Sequence, residues 1–324
     1  MSMRWYVVRR VLWAVVATYL ILSVTWGLLA LTPNPAAEQL QFRAAASGGS
    51  AEAAREAFEA RRGLNRPLWE RYSEYMVNMV TLNWGWSESR SQPVMEAIAG
   101  AIPYTAIYSV PTTILSVLLG LSIGLYSATH QYTKTDYAAT FFAFFGYAIP
   151  NFWFAIILLL VFSVQLGWFP VVFDPNVPLV GVAMAKQLVL PVVVLVTGTI
   201  AGVMRYSRAE ALEYVQAEFV KTAKAKGAGE FRILTRHILR PAAVPLMTIL
   251  VGDILGIFLA ASYLVEVVFG IPGLGQLSYD AIMAQDTALV LGTTLIFTFV
   301  AVVGNLIQDV AYTVLDPRID YGDR

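Results

Sequence analysis

Six apolar runs, at about residues 11–31, 101–129, 137–165, 187–204, 241–267 and 287–313, limit what this 324-residue chain can fold into. A helix needs about 20 residues to cross ~30 Å of hydrocarbon, and each run is close to that length or beyond it. In lipid an open chain satisfies its backbone N–H and C=O groups only as a helix, so the runs read as helical even where Pro103, Pro111, Pro150 and Pro191 interrupt them. With 57% of residues hydrophobic and 14% charged, six such runs cannot be the buried helices of a soluble domain. The chain therefore reads as an all-α polytopic membrane protein with six transmembrane helices.

Basic residues set its orientation. With the N-terminus in the cytoplasm, segments 1–10, 130–136, 205–240 and 314–324 carry three, one, eight and two Lys or Arg, while 166–186 and 268–286 on the opposite side carry one and none. The positive-inside rule predicts N-in and C-in; segment 32–98, with seven basic and eight acidic residues, is long enough to cross regardless of charge. Arg9 and Arg10 precede an apolar run too long for a leader core, with no small-x-small site after it, so the run reads as a retained helix. Three regions follow: 1–31, the N-terminus and first helix; 32–98, an extracytoplasmic loop with short helices; and 99–324, a core holding the other five helices and a cytoplasmic loop at 205–240.

Several chemistries are excluded. The chain has no cysteine, which removes disulfides, thiolate nucleophiles and Cys-based metal sites. Its two histidines, His130 and His237, are far apart, so neither a metal centre nor a cofactor is expected. No G-x-x-x-x-G-K-[ST] phosphate loop occurs; Gly270-Ile-Pro-Gly273-Leu-Gly275 lacks the lysine. Neither G-x-S-x-G nor H-E-x-x-H appears, which argues against a membrane hydrolase.

The outer loop carries helix signals. Ser50 can cap a helix running to Arg62, with Glu52, Glu56 and Glu59 along it, Arg61 and Arg62 in its last turn and Gly63 as its stop. Leu64-Asn65-Arg66-Pro67 then opens a second helix in which Leu68, Trp69, Tyr72, Tyr75, Met76, Met79 and Val80 share a face. That face suits either a lid over a pathway or a helix lying at the headgroup level. Residues 44–51, rich in Ala, Ser and Gly, read as a mobile connector.

The polar island from Glu218 to His237 must meet something in water. Ser207-Arg-Ala-Glu210 has the pattern of a capping box, so a helix is expected to restart there. A short helix, Glu218 to Lys226, should follow, ended by a left-handed Gly227 and loosened by Gly229, before Glu230 begins another leading to Pro241. Phe219, Val220 and Ala223 form an apolar strip beside Lys221, Lys224 and Lys226. A solvated basic loop explains the lysines but not the strip.

Here the chain resembles a known family. Phe219-Val-Lys-Thr-Ala-Lys-Ala-Lys-Gly227, followed by Arg236-His-Ile-Leu-Arg-Pro241-Ala-Ala-Val-Pro245, is similar to the cytoplasmic loop of ABC importer permeases, particularly the peptide/nickel class. Leu64-Asn-Arg-Pro67, Pro150-Asn-Phe-Trp153, Leu166-Gly-Trp-Phe-Pro170, the stretch Glu266 to Gly275 and Leu315-Asp-Pro-Arg318 agree with that class, and the long loop after the first helix looks like the first of its two permeases. Lys221-Thr222-Ala223 stands where the wider family begins its loop with Glu-Ala-Ala, as is usual in the peptide class. The resemblance implies a type I importer permease in a prokaryotic plasma (inner) membrane. Its implied partners are a second homologous permease, two ATP-binding ATPase subunits and an extracytoplasmic substrate-binding protein, with no nucleic acid. It also implies that the short helix sits in an ATPase cleft, with Phe219, Val220 and Ala223 as its apolar seat, Lys221, Lys224 and Lys226 on an acidic rim and Gly227 holding the bend. Peptides or similar solutes are the implied cargo, with oligosaccharides or nickel as alternatives.

Asp253 lies near the middle of the fifth run, where a charged carboxylate must be paired, hydrated or protonated. It reads as a pathway residue or as a hydrogen-bonded tie between helices, the second being preferred; Glu266 and Asp309, nearer helix ends, read as ties. Gly120, Gly124, Gly198 and Gly202 form small-xxx-small pairs for close helix contact. A secondary carrier is the rival reading, but it should show an internal repeat and its own ion site, and no repeat is visible.

Overall fold

The computed structural model describes residues 3–31, 35–61, 63–243, 246 and 262–315. Its helices are α1 (Met3–Leu31), α2 (Pro35–Ala46), α3 (Ala51–Arg61), α4 (Leu68–Val80), α5 (Val94–Thr129), α6 (Lys134–Ala148), α7 (Asn151–Leu158), α8 (Val182–Val215), α9 (Glu218–Ala225), α10 (Glu230–Arg232), α11 (Ser262–Phe269), α12 (Leu274–Met283) and α13 (Thr287–Leu315). Leu159–Gln165 continues α7, and Ile233–Leu239 continues α10, in the wider i→i+5 winding. A small antiparallel hairpin pairs β1 (Trp86–Ser87) with β2 (Gln92–Pro93).

Among the described residues four helices are long and apolar enough to cross a membrane: Val7–Leu28, Val94–Thr129, Val182–Val215 and Thr287–Gln308. The third run departs from its expected single helix, because α6 and α7 meet at 101°. Proline explains the break. The residue before it is pushed out of the helical region, and Ile149 is extended at φ −84° and ψ 128°. Pro103, Pro111 and Pro191 are instead absorbed into unbroken helices. Most of the fifth run lies outside the described residues, so the described spans number four, or five if the bent pair is one.

The chain divides into two compact units. The first comprises Met1–Ala14, Ile102–Gln276 and Val300–Arg324. Its core gathers Tyr108, Ala155, Met184, Val194, Leu195, Val265 and Ile271, all nearly or fully buried. Here α5 and α8 approach very closely. A Cβ on Gly120 would lie 2.6 Å from that of Val203, and one on Gly124 would lie 2.6 Å from the Met204 carbonyl and collide with the Ser207 hydroxyl, so glycine is required at both positions. Gly146 is pressed in the same way against the Thr197 carbonyl of α8, and Gly198 against the Asn151 side chain. Gly202, expected as a contact point, faces open space.

The expected helix restart at Ser207 does not occur. Helix α8 runs unbroken through it, and the Ser207 hydroxyl donates to the carbonyls of Val203 at 2.8 Å and of Gly120 at 3.1 Å. A 34-residue helix is about 51 Å long, so α8 carries Arg208 and Glu210 beyond the hydrocarbon with no need of a new cap.

The second unit comprises Val15–Ala101 and Leu277–Phe299. Ser50 caps α3 as expected, accepting the Ala53 N–H at 3.2 Å, and Gly63 follows it at φ +62°. Residues 44–46 are not a connector but the end of α2, and the remainder is a tight turn with Gly48 at φ +79°. On α4, Tyr75 and Met79 are buried, and Trp26 of α1 packs edge-on to Tyr72 and stacked on Tyr75. Leu68, Trp69 and Val80, assigned to the same face, are exposed. Asp286 starts α13, accepting the Leu289 N–H at 3.2 Å, and it also holds the hairpin loop through the Ser87 hydroxyl at 2.7 Å, the Ser89 N–H at 3.0 Å and the Ser89 hydroxyl at 2.8 Å.

Candidate functional site

Helix α9 forms where the sequence placed it, one residue shorter, from Glu218 to Ala225. Ala217 is extended at φ −62° and ψ 144°, which turns the chain out of α8 and into α9. At the other end the Ala228 N–H reaches the Ala223 carbonyl at 3.1 Å and the Gly227 N–H reaches the Lys224 carbonyl at 2.9 Å, with Gly227 at φ +79°. These two bonds close the last turn, and they need a residue that accepts positive φ.

The apolar strip splits between two roles. Val220 is fully buried and Ala223 nearly so, and Val220 packs with Leu125 and Ala128 of α5, Ala211 of α8, and Ile233 and Ile238. Neither residue is presented outward in the chain by itself. The chain's own core covers them. Phe219 is 47% exposed, and Lys221, Lys224 and Lys226 are exposed with it. Lys221 Nζ lies 2.7 Å from Glu218 Oε1, an exposed pair of little energetic consequence. The outward face of α9 is therefore an aromatic ring among ammonium groups.

Three features escaped the sequence reading. Phe231, 80% exposed, adds a second aromatic to the loop. His130 of α5 stacks on Tyr126 with ring centres 4.1 Å apart, and its Nε2 lies 3.2 Å from Glu230 Oε1, a contact that is ionic when the ring is protonated. Asp136, buried at the start of α6, is met by Arg208 Nη2 of α8 at 3.0 Å. Thr133-x-x-Asp136 does have the spacing of a helix start, and Thr133 Oγ1 accepts the Asp136 N–H at 3.2 Å. The Arg208 contact joins residues 72 apart and leaves no local signal.

Glu266 acts as the tie expected of it. It is fully buried, and its Oε1 accepts from the Tyr108 hydroxyl at 2.6 Å and the Thr105 hydroxyl at 2.7 Å. Thr105 in turn accepts the Leu274 N–H at 2.8 Å, at the start of α12. Gly273 fits against this pair because a Cβ there would lie 2.5 Å from the Thr105 hydroxyl oxygen. Asp253 and the Asp309 side chain lie outside the described residues.

Residues 120–321 match the family described as the binding-protein-dependent transport system inner membrane component. The oligopeptide transport system permease protein AppB of Bacillus subtilis is 40% identical over 273 residues, which cover 83% of this chain and 86% of that protein. OppB of Haemophilus influenzae, also an oligopeptide transport system permease protein, is 34% identical over 81% of this chain and 84% of that one. Among solved structures, a chain from inward-facing conformations of the MetNI methionine ABC transporter matches with a TM-score of 0.54, covering 68% of this chain and 97% of that chain at 16% identity. That likeness is one of fold.

Proposed function

The chain belongs to the family of binding-protein-dependent transport system inner membrane components, and from that membership we propose that it is a transmembrane permease of an ATP-driven importer for peptides or similar solutes. It forms half of the pathway beside a second homologous permease. Two separate ATPase subunits drive it, and an extracytoplasmic binding protein delivers the solute.

The observation that carries this reading is the divided face of α9. A solvated loop has no reason to bury Val220 completely while holding Phe219 outward among three lysines on the same two turns. A helix seated on its own bundle with an aromatic aimed away from it suits a lever gripped by another protein. In that reading Phe219 enters the ATPase cleft, the lysines meet its acidic rim, and Gly227 keeps the lever's angle. An aromatic anchor supplies most of the grip, and the rim charges favour the right partner. The family and its curated relatives favour this over a secondary carrier, and the two oligopeptide permeases favour peptides over oligosaccharides or nickel.

Reconstitution tests it. The purified chain alone should hydrolyse no ATP, while proteoliposomes holding both permeases, both ATPases and the binding protein should accumulate a labelled pentapeptide only when ATP is supplied. Uptake without the ATPases, driven by an ion gradient, would overturn the proposal. Asp253 is carried as the candidate pathway carboxylate: Asp253→Asn should shift preference between cationic and neutral peptides if it faces the solute, and lower stability alone if it ties helices.

A further inference from the structure

Asp136 stands in the first turn of α6 with 3% of its side chain exposed, and three other stretches of chain converge on it. Its Oδ1 accepts from the Ser127 hydroxyl near the end of α5 and, at 3.5 Å, from the Thr140 hydroxyl one turn along α6. Its Oδ2 accepts the Tyr132 N–H and Arg208 Nη2 of α8, each at 3.0 Å. A buried carboxylate left without these donors is strongly unfavourable, so the donors and the carboxylate are held to move together.

Helix α9 packs on Ile233–Leu239 and shares a buried cluster with the same turns. Val220 belongs to the buried cluster that holds Leu125 and Ala128, within two residues of Ser127, and Ala211, one turn past Arg208. The lever's buried residue and the carboxylate thus both meet the loop-bearing ends of α5 and α8, one through the apolar cluster and the other through hydrogen bonds. Helix α6 has its own close contact with α8 further along, where Gly146 meets the Thr197 carbonyl, but at its start Asp136 is its polar anchor to both neighbours.

We infer that Asp136 is a positioning residue which passes displacement of α9 into α6, its pairing with Arg208 linking the loop-bearing ends of α5 and α8 to the first turn of α6. This rests on the importer reading proposed above. It assigns a coupling role to a buried residue outside the lever.

The test uses the whole importer in proteoliposomes and measures labelled pentapeptide taken up per ATP hydrolysed, together with the melting temperature of the complex. Asp136→Asn and Arg208→Met should assemble and still hydrolyse ATP, with uptake per ATP reduced about tenfold, the scale of a coupling carried by one contact network. Arg208→Lys, which keeps the charge, should recover at least about half of the ratio. A purely structural role would lower melting temperature and yield while leaving uptake per ATP at the wild-type level in the complexes that survive. That result overturns the inference, as does failure of both variants to assemble. A wild-type complex that shows no ATP-driven uptake strikes the importer reading itself; wild-type uptake with unchanged ratios in both variants strikes only the role of Asp136.

Discussion

Glu266 Oε2 accepts the backbone N–H of Gln276 at 2.9 Å, so a carboxylate from α11 closes the open start of α12. Helix N-termini leave backbone donors unpaired, and here a side chain ten residues upstream supplies the acceptor. Glu266→Gln would turn an amide donor toward groups that already donate, and it should destabilise the protein by about 1.5–3 kcal/mol. Glu266→Ala, which strands the Tyr108 and Thr105 hydroxyls together, should be worse. Thermal unfolding in detergent separates the two, and equal melting temperatures for Gln and wild type would remove the carboxylate from this role.

Gly124 predicts a steep size dependence. Its Cβ position lies against the Met204 backbone, which cannot swing aside as a side chain can, so Gly124→Ala should cost about 1–3 kcal/mol. Gly202→Ala, with nothing within 4 Å, is the matched control and should leave the melting temperature unchanged or slightly higher.

Gly227 predicts a defect of aim. No atom lies within 4 Å of a Cβ there, so the penalty of Gly227→Val is one of backbone, about 1–2 kcal/mol for a β-branched residue at φ +79°. Membrane insertion should persist while uptake by the assembled complex falls. Gly227→Asn should retain more uptake than Val, and Gly229→Ala, at φ −66° with free space, should behave as wild type. Undiminished uptake with Val would mean that the end of α9 need not hold its angle.

Asp286 predicts an acid sensitivity. Burial alone would raise its carboxyl, but the Ser87 hydroxyl, the Ser89 N–H and hydroxyl and the Leu289 N–H outweigh it and hold the group below the ordinary carboxylate range. A carboxyl lowered by folding contributes stability that is fully present above about pH 3.9 and drains away as pH falls through the folded value. Between about pH 6 and about pH 3 the wild type should therefore lose more stability than Asp286→Asn, which starts lower and lacks this titration. Parallel melting curves for the two across that interval would contradict the assignment.

Features carried by neighbours in sequence are legible in the sequence itself. Apolar length announces a span, Ser50 and Gly63 bracket α3, and Gly227 marks a helix stop, because each signal lies within a turn or two of what it determines. The failures were of another kind. Ser207-x-x-Glu210 has the residues of a capping box, yet the close approach of α5 supplies Gly120 as a second partner for the Ser207 hydroxyl and the helix continues. Val220 and Phe219 are equally apolar neighbours, and which one faces inward is decided by the cluster that residues of α5, α8 and Ile233–Leu239 form around Val220, not by α9 itself. Arg208 could not be matched with Asp136 from spacing, since the pairing depends on how α6 folds back beside α8.

The break at Ile149 and Pro150 has a consequence for how the membrane segments can flex. An intact helix resists bending because each added degree stretches hydrogen bonds along one side, but Pro150 has no N–H to give, and the ladder between α6 and α7 is already open. Changing the 101° angle there ruptures no bond of that ladder, whereas bending α5 or α8 to a similar extent would. The backbone alone therefore does not brace this joint, and its angle is held from outside by two consecutive residues of α8, the Thr197 carbonyl pressed on Gly146 before the break and Gly198 pressed on the Asn151 side chain after it.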